Sequence, residues 1–372
     1  MPGPDVLGLT RELLRIDTCT PPGRERPCAR LVGRLLQDAG FGVAEYEFDD
    51  ERTSLVARLG TAGDGRALCF TGHLDTVGVG ERSAWTRDPF AGETHDGRLY
   101  GRGSTDMKGG VAAFVIAALR LAPFLSRSRG LVLVLTAAEE SGLLGAAHLA
   151  GVPGALGEAG AIVVGEPTGN APYVGNQGVL WLDAHARGAA AHASTPERGV
   201  NAIYKLAHAI AAIEELAGDP RRVADGVLSL NVGTCAGGVG ANLVPDHAEM
   251  ALDVRLAANQ DPDAVVARLR EALPGCVTVE RGSSAPGVWT DPADPWIRSV
   301  FELVGADPGD ARTLPFATDA GFLTPAYGGV PTVILGPGEL TTLHTVDEFC
   351  HVARLEQAVE IYEQLARRWC DV

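Results

Sequence analysis

The chain has 372 residues, which at about 150 residues per domain favours two domains over one small module. Its 46% hydrophobic and 21% charged residues are close to ordinary globular usage, which excludes a disordered or low-complexity chain. The net charge of −16 repels phosphate backbones and anionic lipid surfaces, so we expect neither nucleic acid nor membrane as a partner.

The seven cysteines are scattered along the chain, and none stands in C-x-x-C spacing. This usage indicates reduced thiols rather than a disulfide framework or a thiolate zinc site. The first residues lack the basic start and apolar run of a signal peptide, and no stretch has the roughly 20 apolar residues that span a bilayer. The sequence therefore predicts a soluble, cytoplasmic protein.

Apolar runs alternate with helical patterns along the first part of the chain. The spacing predicts one helix over Arg26 to Ala39 and a second, almost wholly apolar helix over Gly110 to Leu121 that stops at Pro123. Four short apolar runs are typical of buried parallel strands: Ala67 to Phe70, Leu131 to Leu135, Ala161 to Val164 and Thr332 to Leu335. The pattern indicates an α/β sandwich with a mostly parallel sheet.

The middle of the chain has a different pattern. Alternating apolar and polar residues predict antiparallel strands from Gly178, over Leu228 to Val232 and over Met250 to Leu256, with an amphipathic helix around Ile203 to Ile213. A loop-rich stretch, Arg281 to Pro295, leads back to α/β patterning. We therefore expect an α+β domain at residues 175–284, inserted into a catalytic domain made of residues 1–174 and 285–372.

Polar residues gather directly after the predicted strands, where ligands bind in open α/β sheets. Their imidazoles and carboxylates form a donor set suited to Zn²⁺ or a similar ion. They are His73 and Asp75, then Glu139 and Glu140, then Glu166, and finally His344 beyond a Gly-Pro-Gly turn, with Asp106 added by the glycine-rich segment before the apolar helix. Asp75 stands two residues after His73, so its side chain can accept the second ring proton of that imidazole.

Simpler interpretations exist for single members of this set. A Glu-Glu pair is usually a solvated surface feature, a lone histidine such as His344 is usually structural, and Asp106 could cap the following helix. Five histidines outside the predicted site are interpreted as structural or surface residues: His95, His148, His208, His247 and His351. The sequence has no GxxxxGK[ST] loop, no H-E-x-x-H and no GxSxG elbow, which disfavours phosphoryl transfer and serine hydrolysis.

Together the motifs resemble the M20 metallopeptidase family, which includes deacylases, aminoacylases and carboxypeptidases. The resemblance spans nearly the whole chain. It rests on Gly72-His73-Leu74-Asp75, Gly101 to Gly110, Thr136-Ala137-Ala138-Glu139-Glu140, Val164 to Thr168, and Leu335-Gly336-Pro337-Gly338 with His344. It implies an α/β/α zinc-hydrolase domain with an inserted lid and dimerisation domain, two Zn²⁺ ions replaceable by Co²⁺ or Mn²⁺, and a homodimer formed through the lid.

The resemblance also implies a role for each site residue. His73 and Glu166 would hold one zinc, and Glu140 and His344 the other. Asp106 would bridge the two ions, and the peptide bond after Asp106 would be cis. Asp75 would support His73, and Glu139 would be the general base. In the inserted domain His192 would polarise the scissile carbonyl, often in the partner subunit's site, while Asn242 and Arg255 would grip a substrate carboxylate.

The expected substrate is an N-acyl amino acid or a short peptide. The run Phe316 to Phe322 with Leu335-Gly336-Pro337-Gly338 is more similar to acetylornithine deacetylases than to desuccinylases, whereas Asn176-Gln177-Gly178 matches neither group. The leading hypothesis is a dizinc deacylase acting on an amide bond. A dipeptidase or carboxypeptidase on the same machinery is the alternative, and a non-catalytic binding protein on the same fold is disfavoured because every ligand and the base are present.

Overall fold

A computed structural model of the chain describes residues 4–60, 65–219, 227–258 and 260–372. The chain forms two compact units. The first unit comprises Met1–Gly175, Trp289–Leu314 and Thr318–Val372, and the second comprises Asn176–Val288 with Pro315–Ala317.

The first unit is organised around a six-stranded sheet. Its strands are β2 (Gly42–Asp49), β3 (Arg52–Leu59), β4 (Ala67–His73), β8 (Leu131–Thr136), β9 (Ala159–Val164) and β18 (Thr332–Ile334). They lie in the order β18-β9-β4-β8-β3-β2. The first four are parallel, and β3 and β2 are added antiparallel at one edge. The four parallel strands are the four that the apolar runs predict.

Helices cover both faces of this sheet. The helices of the unit are α1 (Val6–Leu14), α2 (Arg26–Asp38), α3 (Lys108–Leu125), α4 (Leu144–Gly151), α7 (Pro295–Val304), α8 (Ala320–Ala326) and α9 (Val352–Cys370). On one face α1, α2, α3, α7 and α9 bury a core that includes Phe70, Phe114 and Tyr362. On the other face α4 packs against β3 and α8. The predicted α/β/α class with a mostly parallel sheet is therefore confirmed.

Short strands complete the first unit. They are β1 (Cys19–Thr20) with β5 (Thr76–Val77), and β6 (Thr94–His95), β7 (Arg98–Tyr100) and β19 (Phe349–His351), which form a three-stranded sheet. The pairing of β19 with β7 brings the segment around residue 348 next to the glycine-rich segment that begins at Gly101.

The second unit is an antiparallel sheet with helices on one face. The sheet order is β13 (Val227–Gly237), β15 (His247–Leu256), β11 (Gly178–Arg187) and β16 (Val277–Ala285), and the helices are α5 (Ala202–Gly218) and α6 (Pro262–Ala272). A core of alternate strand residues and helix residues such as Leu206 and Leu269 lies between them. Small strands β12 (Ala191–His192) and β14 (Leu243–Val244) pair with each other, and β10 (Gly175–Asn176) and β17 (Val288–Trp289) form a further short pair.

Two predicted element ends were wrong. Helix α3 does not stop before Pro123 but continues to Leu125, because a proline so near the end of a helix removes a single hydrogen bond while Leu121 and Leu125 gain full burial. The stretch from Arg281 is not all loop, since β16 continues to Ala285 beside β11. Helix α3 is also long and apolar enough to cross a membrane, but 78% of it is buried inside the protein, as expected of a core helix.

Candidate active site

The carboxyl ends of the four parallel strands place the predicted polar residues side by side. β4 ends at His73, and Glu139 and Glu166 follow shortly after the ends of β8 and β9. Main-chain hydrogen bonds from Leu74 N to Thr136 O (2.8 Å) and from Gly165 N to Thr71 O (2.9 Å) extend the sheet pairing past the strand ends. The loops that carry the polar side chains therefore start from one level of the sheet.

Five of these side chains form two groups that share Asp106. In the first group His73 Nε2 lies 3.0 Å from Asp106 Oδ1 and 3.8 Å from Glu166 Oε1. In the second, His344 Nε2 lies 3.2 Å from Asp106 Oδ2 and 3.1 Å from Glu140 Oε1. Asp106 thus offers one carboxylate oxygen to each group, and within each group the candidate ligand atoms lie within 4.8 Å of one another.

The chemistry of the two groups fits a pair of divalent cations. Ligands that surround an ion tetrahedrally at about 2.0–2.2 Å are separated by about 3.4 Å, close to most of the distances above. The cluster also gathers four carboxylates, those of Asp106, Glu139, Glu140 and Glu166, around only two imidazoles. Burying so many carboxylates is costly without compensating positive charge, which bound cations would supply. The imidazole and carboxylate donors suit Zn²⁺ and related ions.

Asp75 supports His73 through its main-chain oxygen, whereas the prediction was a hydrogen bond to its carboxylate. The Nδ1–H of His73 donates to the main-chain oxygen of Asp75 at 2.9 Å, while the carboxylate Oδ1 is 3.6 Å away. That carboxylate instead accepts the main-chain N–H groups of Glu139 (3.0 Å) and Glu140 (3.2 Å). Asp75 therefore sets the ring orientation of His73, leaving Nε2 towards Asp106, and at the same time anchors the Glu139-Glu140 segment.

The electrostatics of the cluster follow from burial and crowding. Burial strongly raises the pKa of the Glu139 and Glu166 carboxyl groups, and neighbouring carboxylates add to the effect. Burial also acts to raise the pKa of Asp106, but hydrogen bonds from His344 and His73 outweigh it and hold that pKa well below its usual range. Hydrogen bonds to Asp106 and Glu140 raise the pKa of His344 to about 10. Without metal the imidazoles thus bind protons in place of cations.

The other predicted site residues, His192, Asn242 and Arg255, lie in the second unit. His192 is exposed, and its Nδ1 lies 2.7 Å from Ser194 Oγ. Asn242 is its neighbour, because the Asn242 main-chain oxygen accepts Ala193 N–H at 3.0 Å. Arg255 stands near the far end of β15, where Asp253 accepts two hydrogen bonds from its guanidinium, at 2.7 and 2.9 Å. Within this unit His192 and Asn242 are therefore brought together and Arg255 is apart.

Comparison with known proteins places this chemistry in a family. Residues 69–368 match the model of peptidase family M20/M25/M40. A succinyl-diaminopimelate desuccinylase of Rhodospirillum centenum (strain ATCC 51521 / SW) is 31% identical over 98% of this chain and 97% of its own length. The chain belongs to the M20 family. Members of this family hydrolyse C–N amide bonds, and the protein is a hydrolase of this kind.

Other relatives of this M20 protein differ in their named activities. An acetylornithine deacetylase of Klebsiella pneumoniae (strain 342) is 29% identical over 91% of this chain and 90% of its own. The crystal structure of aminopeptidase PepT from Bacillus cereus ATCC 10987 has a TM-score of 0.77 at 25% identity, over 97% and 98% of the two chains. A dinuclear metal-binding M20 peptidase from Bacillus subtilis shares the fold, with a TM-score of 0.73 at 15% identity over 98% of both chains.

The cis peptide bond expected after Asp106 is present in this M20 site, between Asp106 and Met107. The segment around it is held by Glu348, a residue that the sequence analysis missed. The fully buried Glu348 carboxylate accepts the main-chain N–H groups of Gly103 (3.1 Å), Thr105 (2.8 Å) and Asp106 (3.1 Å), and it pairs with Arg102. No local pattern could have indicated it, because the partners lie more than 240 residues apart.

Two further buried carboxyl groups support the loop after β8. Glu25 accepts Ala138 N–H at 3.2 Å and pairs with Arg52 at 2.9 Å. Asp319 accepts a hydrogen bond from Thr136 Oγ1, and burial raises its pKa to about 6. Asp319 had a signal in the sequence, namely a charged residue within the mostly apolar run Phe316 to Phe322. The residue before Glu139, Ala138, has a left-handed φ of 57°, a conformation that this surrounding network maintains.

Close main-chain packing positions Glu166. The carbonyl oxygen of Gly165 lies only 2.2 Å from where a Cβ would stand on Gly110 of α3, and equally 2.2 Å from a Cβ on Gly336. Only glycine at both positions permits this approach, which wedges the Gly165-Glu166 segment between α3 and the loop after β18. The glycines of the Gly101 to Gly110 and Leu335 to Gly338 motifs thus act through steric fit.

Proposed function

We propose that this M20 hydrolase is a dizinc deacylase that cleaves the amide bond of an N-acyl amino acid, with Glu139 as general base. The observation that carries the proposal is the pair of ligand groups sharing Asp106, with Glu139 next to both Glu140 and His73. His73, Asp106 and Glu166 would hold one ion, and Asp106, Glu140 and His344 the other. Co²⁺ or Mn²⁺ could replace zinc in this donor set.

When bound, two divalent cations would lower the pKa of the attacking water and stabilise charge that develops on the amide oxygen. Glu139 would accept the proton of that water and later return it to the departing amine nitrogen. Its anchored main chain supports this role, because the hydrogen bond from Glu139 N to Asp75 Oδ1 keeps the Glu139 carboxyl group near the ligands. Among the described residues no Arg or Lys forms an ion pair with that carboxyl group.

Residues of the second unit would bind the substrate. His192 would donate to the carbonyl oxygen of the scissile amide, in the partner subunit's site if the protein is a homodimer, as the family resemblance implies. Arg255, whose guanidinium Asp253 already orients, would bind the substrate carboxylate, and Asn242, which lies beside His192, would reach the same carboxylate from the partner subunit. A planar guanidinium suits a carboxylate better than an ammonium does, which favours N-acyl amino acids over substrates without a free carboxylate.

The relatives support a deacylase first. Desuccinylases and a deacetylase match over more than nine-tenths of the chain, and both named activities remove an acyl group from an amino nitrogen. A dipeptidase or carboxypeptidase is the second candidate, because the 25% identity to an aminopeptidase supports cleavage of a peptide bond in general. A binding protein without catalysis is disfavoured by the complete set of ligands and base.

A substrate panel combined with one variant tests the proposal. Zinc-loaded protein should hydrolyse an N-acetyl or N-succinyl amino acid faster than dipeptides. Glu139→Gln should lower kcat by about 10²–10⁴-fold, the range for a lost general base, with the metal content unchanged. The control is Glu302→Gln, an exposed glutamate of α7, which should behave as wild type. Wild-type turnover in Glu139→Gln would overturn the base assignment, and faster dipeptide cleavage would select the second candidate.

The proposal includes a homodimer formed through the second unit and a location in the cytoplasm. Large apolar side chains are exposed on this unit, including Tyr204 (68%) and Val239 (91%), as expected for an interface. All seven cysteines are free, which fits a reducing compartment. Because Tyr204 lies on this exposed apolar surface, Tyr204→Glu should shift the mass measured by light scattering from dimer to monomer. Phe124→Glu, at an exposed position of the first unit, should not. A monomeric wild-type protein would exclude the dimer.

A further inference from the structure

A second group of potential metal ligands lies on the exposed face of the sheet in the second unit. His185 of β11 is directly opposite Glu249 of β15, and His247 stands two residues before Glu249. Because side chains alternate between the faces of a strand, all three project from the same face. Their immediate neighbours in sequence, such as Ala184, Ala248 and Met250, point into the core on the other face.

The three side chains already lie near coordination distance. Glu249 Oε2 is 3.3 Å from His247 Nε2 and 3.7 Å from His185 Nδ1. The two imidazole rings are nearly parallel, with centroids 5.9 Å apart, and one candidate ligand atom from each residue lies within 4.8 Å of the other two. Since tetrahedral ligands of a zinc ion are about 3.4 Å apart, shifts of roughly 1 Å would suffice.

The surroundings leave this group open on one side. His247 Nδ1 is buried and has no hydrogen-bond partner within the part of the chain that the structure describes. The ring nitrogen that faces outward is therefore Nε2, the atom next to Glu249. The residues opposite Glu249 on β13 and opposite His185 on β16 are Ala236 and Thr278, which are small. A cavity of about 360 Å³ borders His247 and Glu249 and has room for a further ligand such as water.

We propose that His185, His247 and Glu249 form a metal site for one divalent late-transition ion, with Zn²⁺ as the best match. Two imidazoles and one carboxylate with an open fourth position are a frequent zinc donor set. The imidazoles favour zinc, nickel or copper over magnesium and calcium, which prefer oxygen ligands. The site shares no residue with the two-metal centre proposed for catalysis, so it can be tested independently of the proposed function.

The test counts zinc per chain in the full-length protein. Protein stripped with a chelator is reloaded with excess Zn²⁺ and desalted, and its zinc content is measured by mass spectrometry of the metal. Binding of Zn²⁺ to the stripped protein is also measured by calorimetric titration. The double variant His185→Gln/His247→Gln should bind one zinc fewer than wild type. His208→Gln, which removes an exposed histidine of helix α5 in the same unit, should match wild type. Equal zinc counts in the double variant and wild type would overturn the proposal.

A single variant keeps the test decisive if the double variant does not fold. Glu249→Gln at an exposed position should weaken the affected binding step at least about tenfold, the lower limit for losing even an outer partner of a metal site. Binding of Cu²⁺ as a probe should give the electron spin resonance signature of two nitrogen ligands in a protein whose catalytic site is already filled with zinc. Absence of that signal, or an unchanged zinc affinity in Glu249→Gln, would contradict the site.

Discussion

In the first unit buried supporting carboxylates hold the main-chain amides of the functional residues, whereas in the second unit the predicted substrate-binding side chains are partly or fully exposed and two of them contact other side chains. Asp75 accepts the amides of Glu139 and Glu140, and Glu348 accepts three amides around Asp106. In contrast His192 contacts Ser194, and Arg255 contacts Asp253. The first arrangement fixes reacting groups rigidly, while the second suits residues that adjust to a substrate.

The difference has a physical origin in burial. A carboxylate inside the protein must be satisfied by hydrogen bonds, and main-chain amides provide them without loss of side-chain entropy. At the surface water can satisfy polar side chains, so fewer hydrogen bonds from the protein are required there. We therefore expect changes in the first unit to act on metal binding and turnover, and changes in the second unit to act on substrate affinity.

The largest effect is expected from Asp106→Asn. This change keeps the size of the side chain but removes its charge and replaces one shared oxygen with an amide nitrogen that cannot bind a cation. Turnover should fall more than about 100-fold, because even the loss of an outer partner costs 10–100-fold, and the zinc content should fall by at least one ion per chain. Activity assays and metal analysis on the same sample measure both.

The control for this change is Asp96→Asn, an exposed aspartate of the first unit whose side chain contacts His95. It should leave zinc content and turnover as in wild type. Full metal content together with full turnover in Asp106→Asn would show that the two ligand groups do not share this residue, and the contrast between the units would lose its main support.

A smaller effect is expected from Arg255→Lys in the second unit. Lysine keeps the charge but cannot keep the two parallel bonds to Asp253 or present a fork to a carboxylate. KM for an N-acyl amino acid should rise about tenfold while kcat changes little, which is the pattern for a lost binding contact. Arg281→Lys, on edge strand β16 of the same sheet and bonded to Asp263, is the control. A fall in kcat without a change in KM would place Arg255 with the catalytic groups instead.

The sequence carried enough information for the sheet and for the ligand-bearing loops. Strands β4, β8, β9 and β18 are buried on both faces, so each appears as an apolar run, and the polar residues after each run are conspicuous for that reason. The topology then brings these ends together, since parallel strands point their carboxyl ends to one edge. The apolar runs thus predicted that these side chains gather at one edge of the sheet, whereas their grouping around two ions was implied only by the family resemblance.

Contacts between distant segments could not be predicted in the same way. Glu348 reaches the amide of Asp106 across 242 residues, and Glu25 reaches that of Ala138 across 113. Likewise, nothing in the strand pattern around His247 indicates a partner, and only the register of β11 and β15, which pairs His185 with Glu249, brings the two histidine rings to 5.9 Å. Such partners depend on the folded arrangement of strands and loops, which no local pattern encodes. The His73 ring proton expected on the Asp75 carboxylate goes to the Asp75 main-chain oxygen for the same reason, because amides from another loop occupy that carboxylate, which stays 3.6 Å from Nδ1.

The smallest effect on the chemistry is expected from Asp319→Asn, a buried carboxyl group of the first unit that no proposed step uses. Burial raises its pKa from 3.8 to about 6, although the hydrogen bond from Thr136 acts to lower it. Because the pKa in the folded state exceeds that in the unfolded chain, the contribution of Asp319 to stability is complete below pH about 4 and is lost as the pH rises through 6. Asparagine has no such titration and can still accept the Thr136 hydrogen bond.

The free energy of unfolding of Asp319→Asn relative to wild type should therefore increase between pH 4 and pH 7. The difference between 3.8 and about 6, at about 1.36 kcal/mol per pH unit, limits this increase to about 3 kcal/mol. Denaturant unfolding of metal-free protein across this range measures it, with Asp96→Asn as the control whose difference from wild type stays constant. Parallel pH profiles for Asp319→Asn and wild type would mean that Asp319 is ionised as readily in the folded protein as in the unfolded chain. The network of satisfied carboxylates in the first unit would then extend to this residue as well.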